Sequence, residues 1–488
     1  MPKKSNNTKF PIIKDGSPLR NFLEIPYDQL EVMNLTAKVK QFSTNPQQLE
    51  KEYRAYLEKE DRIKAVTVCF TNIEGRLHML DYDKKFLLQG ADNLTFDGSS
   101  VKGFTPQHES DLRLELDWGS MMWLPSDIFG PGKVILFGSV LDKDKSAYVS
   151  DFRLQLKLYL EKIKKEKNIT AFAAPELEGF VFSGVNAEQT FDEKMGFTFT
   201  SMGGYFHSLP LDPLRQFIDA AAEAQRAMGF QNEKDHPEVA PSEFEMNFSY
   251  THVLRACDQI QLYKLVCRQV ANKCGMTASF LPKPIVGING NGMHTNFSLS
   301  KNGKNLFYDK KGKDGLSKTA WDFISRVLNH AEELCLIMNS SVNSYRRLDP
   351  HFEAPNQIKV TPNDRGSMIR IPTGNERTAR IEVRSPSPDA NPYLWLYSLI
   401  RTGLEGNPLD EKKQTQTRIL PGTIYEALAL FEKSTFLEKI LGKENKEKYI
   451  TLKEIVAGRS PKELGTIVKT SEVIYHHEVF NQVLWNSF

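Results

Sequence analysis

The sequence predicts a mixed α and β chain with more than one folding unit, and three observations lead there. Its 488 residues exceed what one ordinary hydrophobic core holds, so two domains, or one large domain with an appendage, are expected. Helical and strand periodicities both occur. Leu49, Tyr53 and Leu57 recur at helical spacing, whereas "AVTVCFTNIEGRLHMLDYD" alternates and turns at Glu74-Gly75 as a hairpin does. Four later segments alternate between an apolar side and a side of functional groups.

In chain order, residues 1 to about 20 read as disordered, being Lys, Asn, Ser and Pro with few apolar anchors. A Pro/Gly-rich passage near 125–132 and the strand "KVILFGSV" close a first unit near residue 145. "DFRLQLKLYLEKIKKEKN" is ambiguous: Leu154, Leu156, Leu158 and Leu160 alternate as in a strand, while length and a lysine-rich end favour a helix. Charged residues make up 25% with a net charge of +2 and no polybasic block, which argues against nucleic acid or an anionic membrane as partner. The start "MPKKSNNTKF" lacks the apolar stretch of a signal peptide, and no run reaches a membrane span. Cys69, Cys257, Cys267, Cys274 and Cys335 form no CxxC pair, so a reduced, cytoplasmic protein without a zinc site is expected.

The chemistry begins at "FAAPELEGFVF", where Glu176 and Glu178 interrupt an apolar run. Residues two apart on a strand share a face. Two bare carboxylates ~4 Å apart at an effective dielectric of about 20 repel by roughly 4 kcal/mol, so positive charge is expected beside them. "EVAPSEFEMNFSY" sets Glu243, Glu245, Asn247 and Ser249 opposite Phe244, Met246, Phe248 and Tyr250, with Glu238 before Pro241. "GMHTNFSLS" sets His294, Asn296 and Ser298 against Met293, Phe297 and Leu299. "RIEVRSP" sets Arg380, Glu382 and Arg384 against Ile381 and Val383. Any one of these reads equally as a strand with a solvated face. Sharing a sheet, they would line one cleft with Glu176, Glu178, Glu238, Glu245, Glu382 and His294. That mostly oxygen set suits Mg²⁺ or Mn²⁺, in sufficient number for more than one ion, and points to phosphoryl chemistry.

Arg346, Arg347, Arg365 and Arg370 join Arg380 and Arg384 as candidate forks for phosphate or carboxylate oxygens. The glycine clusters "GGYF" and "GINGNGMH" allow close backbone approach but match no Walker or dinucleotide spacing. His476, His477 and Glu478 in "YHHEVF" read as solvated tail residues, because adjacent helical residues diverge by about 100°.

In order along the chain stand "FTNIEGRLH", "FDGSS", "ESDL", "APELEGFVF", "GGYF", "HPEVAP", "GINGNGMHTN", "NSYRRLDPHFEAP", "RGSMIRIP" and "RIEVRSPSPDANPYL". On these motifs, from about residue 47 onward, the chain resembles the glutamine synthetases, of type I by length and motif order. The resemblance implies an α+β fold: an N-terminal extension at 1–46, partly disordered, a small β-grasp domain at 47–146, and a large catalytic domain at 147–488. The catalytic domain would carry a saddle-shaped antiparallel sheet with surrounding helices. It also implies a homo-oligomer, a dodecamer of two stacked hexameric rings, with each active site between adjacent subunits and Asp97 supplied by the neighbour.

The site positions follow from the same resemblance. Glu176, His294 and Glu382 would hold one metal, and Glu178, Glu238 and Glu245 another. Glu233, Ser298, Arg370 and Arg380 fall at ATP-contacting positions, and Asn289, Gly290, His294, Arg347 and Arg384 at glutamate-binding ones. Arg365 would meet the transferred phosphate, and Glu353 sits on the flap that closes the site. Asp97, Ser100, Tyr205 and Glu238 would form the ammonium site. The implied reaction joins ammonia to the γ-carboxylate of L-glutamate through γ-glutamyl phosphate, with ATP as co-substrate. Two residues depart from the common pattern: Glu243 where glutamine is frequent, and Asn296 where a second histidine is. The rivals are a γ-glutamyl-amine ligase of the same family, taking a polyamine or alkylamine, and a non-catalytic structural descendant.

Overall fold

The structure is a computed structural model that describes residues 22–349, 351, 354–458 and 464–476; the disorder expected of residues 1 to about 20 lies outside them. Ala65–Thr71 (β1), Leu77–Asp83 (β2), Leu94–Asp97 (β3), Asp111–Trp123 (β4) and Lys133–Leu141 (β5) form a five-stranded sheet in the order β2-β1-β5-β4-β3. β1 and β2 make the hairpin read from the sequence, pairing Ala65 with Asp83 and Thr71 with Leu77. Its turn requires Gly75, which has φ 80° and would drive a Cβ to 2.6 Å from the Asn391 backbone. Strand alternation splits this sheet between two cores. Val66, Val68, Phe70, Val134 and Leu136 pack with the helices Tyr27–Ser43 and Pro46–Lys59, while Cys69, Ile135 and Phe137 face the larger core.

The second sheet has ten strands: Ile169–Ser183 (β6), Asn232–Pro237 (β7), Glu243–Phe248 (β8), Thr251–His252 (β9), Met276–Ser279 (β10), Met293–Lys301 (β11), Lys304–Asn305 (β12), Gln357–Thr361 (β13), Ser367–Arg370 (β14) and Ile381–Val383 (β15). Its main path runs β13-β14-β15-β11-β6-β8-β7, with β9 and β10 on β6 and β12 on β11. Pairing is antiparallel except at β13–β14, which run parallel. The long helix Val253–Lys273 packs on β6 and β10 and buries Ile260, Tyr263 and Val266 beneath them. No helix among the described residues is long and apolar enough to cross a membrane.

The ambiguous leucine-rich segment is the helix Phe152–Lys167, capped by Asp151 through Leu154 N at 3.1 Å. What it buries is not the leucine alternation but a helical face of Phe152, Leu156, Tyr159 and Ile163. Beside that face the fully buried Arg153 clamps Asp258 through Nε and Nη2, both at 2.8 Å, and reaches Asp117 of β4 at 2.9 Å. This ion triad ties the two sheets' domains together.

Two expectations change. Within the supposed extension, Tyr27–Ser43 is a helix packed on β4 and on the helix Pro213–Ala227. Its buried face is Leu30, Asn34 and Ala37, and a polar residue at its centre hides the apolar stripe from a sequence reading. Asn34 Nδ2 donates to Trp123 O at 2.9 Å and Ala227 O at 2.8 Å, and its Oδ1 accepts from Trp123 N at 2.9 Å. The second change is His476. It ends the helix Thr470–His476 with a side chain only 9% exposed, so it is not a solvated tail residue; His477 and Glu478 lie outside the described residues.

Asn34→Ala strands three buried backbone groups and is expected to lower unfolding stability by about 3 kcal/mol. Urea unfolding followed by tryptophan fluorescence checks this, and an unshifted midpoint would show that water or a rearranged helix satisfies those groups.

Candidate active site

Strand register gathers the charged side chains. β11 pairs with β6 so that His294 stands opposite Glu176, and with β15 so that Asn296 stands opposite Glu382. β8 pairs with β6 so that Glu245 stands opposite Glu178. Cross-strand partners share a face, and the three pairings bring Glu176, Glu178, Glu245, His294 and Glu382 together. Glu238 arrives from the β7–β8 turn, whose Glu238 N donates to Glu243 O at 2.8 Å.

Two groups of candidate metal donors result. Glu176, His294 and Glu382 place ligand atoms within 4.8 Å of one another, and so do His236, Glu238 and Glu245. His294 Nδ1 lies 3.6 Å from Glu176, 3.9 Å from Glu178 and 3.9 Å from Glu382. Glu178 accepts a hydrogen bond from Gly292 N and so bridges towards His294. A Cβ at Gly292 would come within 2.5 Å of His294 Nε2 and 2.7 Å of Arg347 Nη2, so a side chain there would displace both groups.

His236 is the residue that sequence reasoning missed. Its Nδ1 is 3.1 Å from Pro237 O, a bond that places the proton on Nδ1 and leaves the Nε2 lone pair for a ligand. Burial holds its imidazole below the usual value, hence neutral. The signal was present in "HPE": His236 and Glu238 are two apart, like Glu176 and Glu178, but Pro237 masks the strand pattern.

Electrostatically the centre is short of positive charge. Burial and then the Glu178 charge raise Glu238 to about 7. Burial and the charges of Glu176, Glu178 and Glu238 push Glu245 well above the carboxylate range, and burial with Glu178 does the same to Glu243. Glu176 goes the other way: burial opposes its ionisation, but His294, the Asn296 amide and Arg370 hold it down at about 2. A compact set of oxygen donors with one imidazole per group, charged beyond what its own arginines offset, fits hard divalent cations.

The cationic fringe comes from β14, the two flanks of β15, the helix Val342–Arg347 and the β13–β14 turn. Arg370 grips Glu382 Oε2 through Nε at 2.6 Å and through Nη2, and Arg384 Nη1 reaches Oε1 at 3.2 Å. Arg347, buried, donates to Ser385 O at 2.8 Å and Arg384 O at 2.9 Å; burial lowers it to about 10. Arg380 Nε donates to Asn296 Oδ1 at 2.8 Å, and Asn296 Nδ2 donates to Glu176 at 2.9 Å. The departure at Asn296 thus links a metal-donor carboxylate to an arginine. Arg365 is exposed in the β13–β14 turn, and its charge reaches Tyr205 and Glu238.

The remaining predicted residues are placed as follows. Ser298 lies two residues beyond Asn296 on β11, and Glu233 on β7 accepts from Ser249 Oγ at 2.9 Å. Gly290 abuts Pro282 O and Lys283, and neighbouring Asn289 is half-buried. Tyr205 stacks on Phe206 and meets His236 edge-on at 5.8 Å. Asp97 and Ser100 are not brought in: Asp97 is exposed, bonded to Ser100 Oγ at 2.5 Å and Ser99 Oγ at 2.6 Å. Among the described residues no hydrogen bond or ion pair joins it to the carboxylate centre. Glu353 lies outside the described residues.

Two family models match the chain: "Glutamine synthetase, catalytic domain" over residues 150–459 and "Glutamine synthetase, beta-Grasp domain" over residues 62–143. The chain belongs to the glutamine synthetase family. It is similar to a glutamine synthetase of Methanosarcina mazei, 36% identical over 81% of this chain and 92% of that one, and to one of Thermus thermophilus, 34% identical over 81% and 93%. A cryo-EM structure of Plasmodium falciparum glutamine synthetase shares the fold at TM-score 0.74 and 22% identity, over 83% and 95% of the two chains. A structure of ligand-free GmaS does so at TM-score 0.70 and 26% identity, over 83% and 95%. These findings bear out the α+β fold with its β-grasp domain, and they make the protein an enzyme of a ligase family.

Glu238 supplies a pH signature for the centre. Its folded value of about 7 against an ordinary 4.5 means that the unfolded chain ionises more readily, so cation-free protein loses stability as pH rises between those values. Mg²⁺ offsets the repulsion only where the carboxylates are ionised. It is therefore expected to raise the melting temperature more at about pH 8 than at about pH 5.5. Equal shifts at the two pH values, measured by scanning calorimetry, would remove the carboxylate centre as the cation site.

Proposed function

We propose that this enzyme joins ammonia to the γ-carboxylate of L-glutamate, using ATP and passing through γ-glutamyl phosphate, to give glutamine, ADP and phosphate. The observation that supports this reading is the pairing of a carboxylate–imidazole centre with an arginine fringe on one sheet face. Similarity to relatives named glutamine synthetase points the same way. Divalent cations held by Glu176, His294 and Glu382, and by His236, Glu238 and Glu245 with Glu178 beside them, would supply charge neutralisation for the ATP phosphates.

In this reading the chain's own residues divide the work. Glu233, Ser298, Arg370 and Arg380 hold the nucleotide. Arg384 has a buried Nε with no hydrogen-bond partner, a donor suited to a substrate carboxylate, and Arg347 braces it through its backbone carbonyl. With Asn289, Gly290 and His294 they hold glutamate. A γ-carboxylate oxygen attacks the γ-phosphorus and ADP leaves, with Arg365 against the transferred phosphate. Glu353 closes over the acyl phosphate and keeps water out. Ammonium settles among Asp97, Ser100, Tyr205 and Glu238 and gives a proton to Asp97. The free ammonia then attacks the acyl carbon and phosphate departs. Hydrogen bonds from Ser100 and Ser99 hold Asp97 below the usual carboxylate range, so it is ionised when ammonium arrives.

The alternative within the family is a ligase that takes a larger amine, and the amine decides between them. Wild type is expected to use ammonium at least ~10-fold better than methylamine or a polyamine in kcat/KM, a difference of about 1.4 kcal/mol. Asp97→Asn is expected to lose glutamine formation while keeping part of the slow, amine-independent ATP hydrolysis. A wild-type preference for a larger amine would transfer the protein to the alternative.

Asp97 stands apart from the carboxylates within one chain, which supports a site completed by a neighbouring subunit in a ring. Mixing inactive Asp97→Asn with inactive Glu178→Gln protein is then expected to restore activity as subunits exchange. No recovery after exchange has been demonstrated by native mass spectrometry would place both residues on the same chain's site.

A further inference from the structure

The loop from Ser201 to Asp212 carries Tyr205, and little apolar burial holds it in place. Met202, Tyr205, Phe206, Leu209 and Leu211 are all exposed, Leu211 to 89%. Phe206 and Leu211 have φ of 54° and 52°, left-handed values that large side chains seldom adopt. A loop so exposed and so bent needs a polar restraint.

His207 supplies it. Its Nδ1 lies 2.6 Å from Gly204 O, and its Nε2 lies 2.6 Å from Asp212 Oδ2. Both oxygens are acceptors, so a ring that meets the two donates from both nitrogens, as an imidazolium does. Ser201 Oγ is a third neighbour, 3.4 Å from Nε2. The side chains of His207 and Asp212 are 12% and 3% exposed, which leaves little room for water to compete. The ring is pressed against the Gly203 backbone, where a Cβ would run into it. Asp212 is anchored in turn, because its Oδ1 accepts from Leu214 N at 3.2 Å and caps the helix Pro213–Ala227. At the other end, Ser242 Oγ accepts from Ser201 N at 2.9 Å and donates to Ser201 O at 3.0 Å.

The clamp fixes the place of two aromatic rings. Phe206 N donates to Pro237 O at 3.3 Å, and a Cβ at Gly204 would stand 3.3 Å from Val239 O, so the loop lies along the backbone on either side of Glu238. Tyr205 and Phe206 stack at 3.8 Å and both meet the His236 ring edge-on, at 5.8 and 4.7 Å. We infer that His207 is a positioning residue for the amine: through Gly204 and Asp212 it holds Tyr205 and Phe206 beside His236 and Glu238, and so sets the size of the amine pocket. This rests on the reading of Tyr205 and Glu238 as amine-site residues. His207 acts through the rings and not on the amine, because both its nitrogens are already engaged.

His207→Gln and Asp212→Asn in the full-length enzyme, made singly and together, test this; asparagine keeps an oxygen for the Leu214 cap. Each single variant is expected to raise KM at least ~10-fold for the amine that wild type uses best, with KM for ATP and for glutamate kept within about twofold. The double variant is expected to be no worse than the more affected single one, since the two residues form one latch. Chymotryptic cleavage after Tyr205 or Phe206, located by mass spectrometry, follows the loop without reference to catalysis and is expected to quicken in all three. Because the amine used is the one wild type prefers, the outcome does not depend on its being ammonium. Unchanged cleavage overturns the latch itself. Faster cleavage with an unchanged amine KM overturns the proposal by removing this loop from the amine site. An equal rise in all three KM values, or effects that add in the double variant, overturns it in favour of a general loss of structure.

Discussion

The register of β6 against β11 and β8 is the constraint on which the rest of the molecule depends. Side chains alternate with a period of two, so a slip of one residue on β6 would turn Glu176 and Glu178 into the core and Leu177 out of it. The core prevents the slip. Leu177 and its cross-strand partner Met293 are fully buried, and Tyr263 Oη donates to Leu177 O at 2.9 Å from the helix behind. Trp395 Nε1 fixes β11 in the same way through Thr295 Oγ1 at 3.0 Å. The apolar half of each strand thus pays for concentrating like charges on the polar half, and the arginines of β14 and the β15 flanks offset part of that repulsion.

The smaller domain is held by polar locks as well as by the apolar face it turns to the larger core. Arg153 joins Asp117 to Asp258, and Asn34 ties the first helix to β4 and to the carbonyl of Ala227. Buried polar groups of this kind are costly unless fully satisfied, and for that reason they admit one docking geometry. That geometry leaves β3 at the outer edge of its sheet, with Asp97 at the strand's end facing solvent.

Much of the centre was legible because alternation is a local signal. The four polar strand faces could be read residue by residue, and their shared sheet is what spacing alone could not supply. His236 stayed hidden because Pro237 interrupts the strand pattern, although β7 reaches as far as that proline. The helix Tyr27–Ser43 stayed hidden because its stripe is broken by Asn34, whose partners lie 89 and 193 residues away. His476 was misjudged for a related reason. A polar residue near a chain's end reads as solvated, and only tertiary packing shows what covers it. The roles of Glu243 and Asn296 were equally invisible: one proves to be a buried carboxyl, the other a link between Glu176 and Arg380.

Glu74 makes the hairpin dependent on the far end of the chain. Its carboxylate is buried and accepts from Lys453 and Tyr475, 379 and 401 residues later. A nascent chain leaving the ribosome can pair β1 with β2 early, but it cannot bury Glu74 at full satisfaction until those residues have emerged. Final docking of the first domain is therefore a late event in synthesis. A truncation that spares every catalytic side chain but ends before residue 453 leaves the buried Glu74 with one oxygen on Lys102 and the other without its lysine and tyrosine donors.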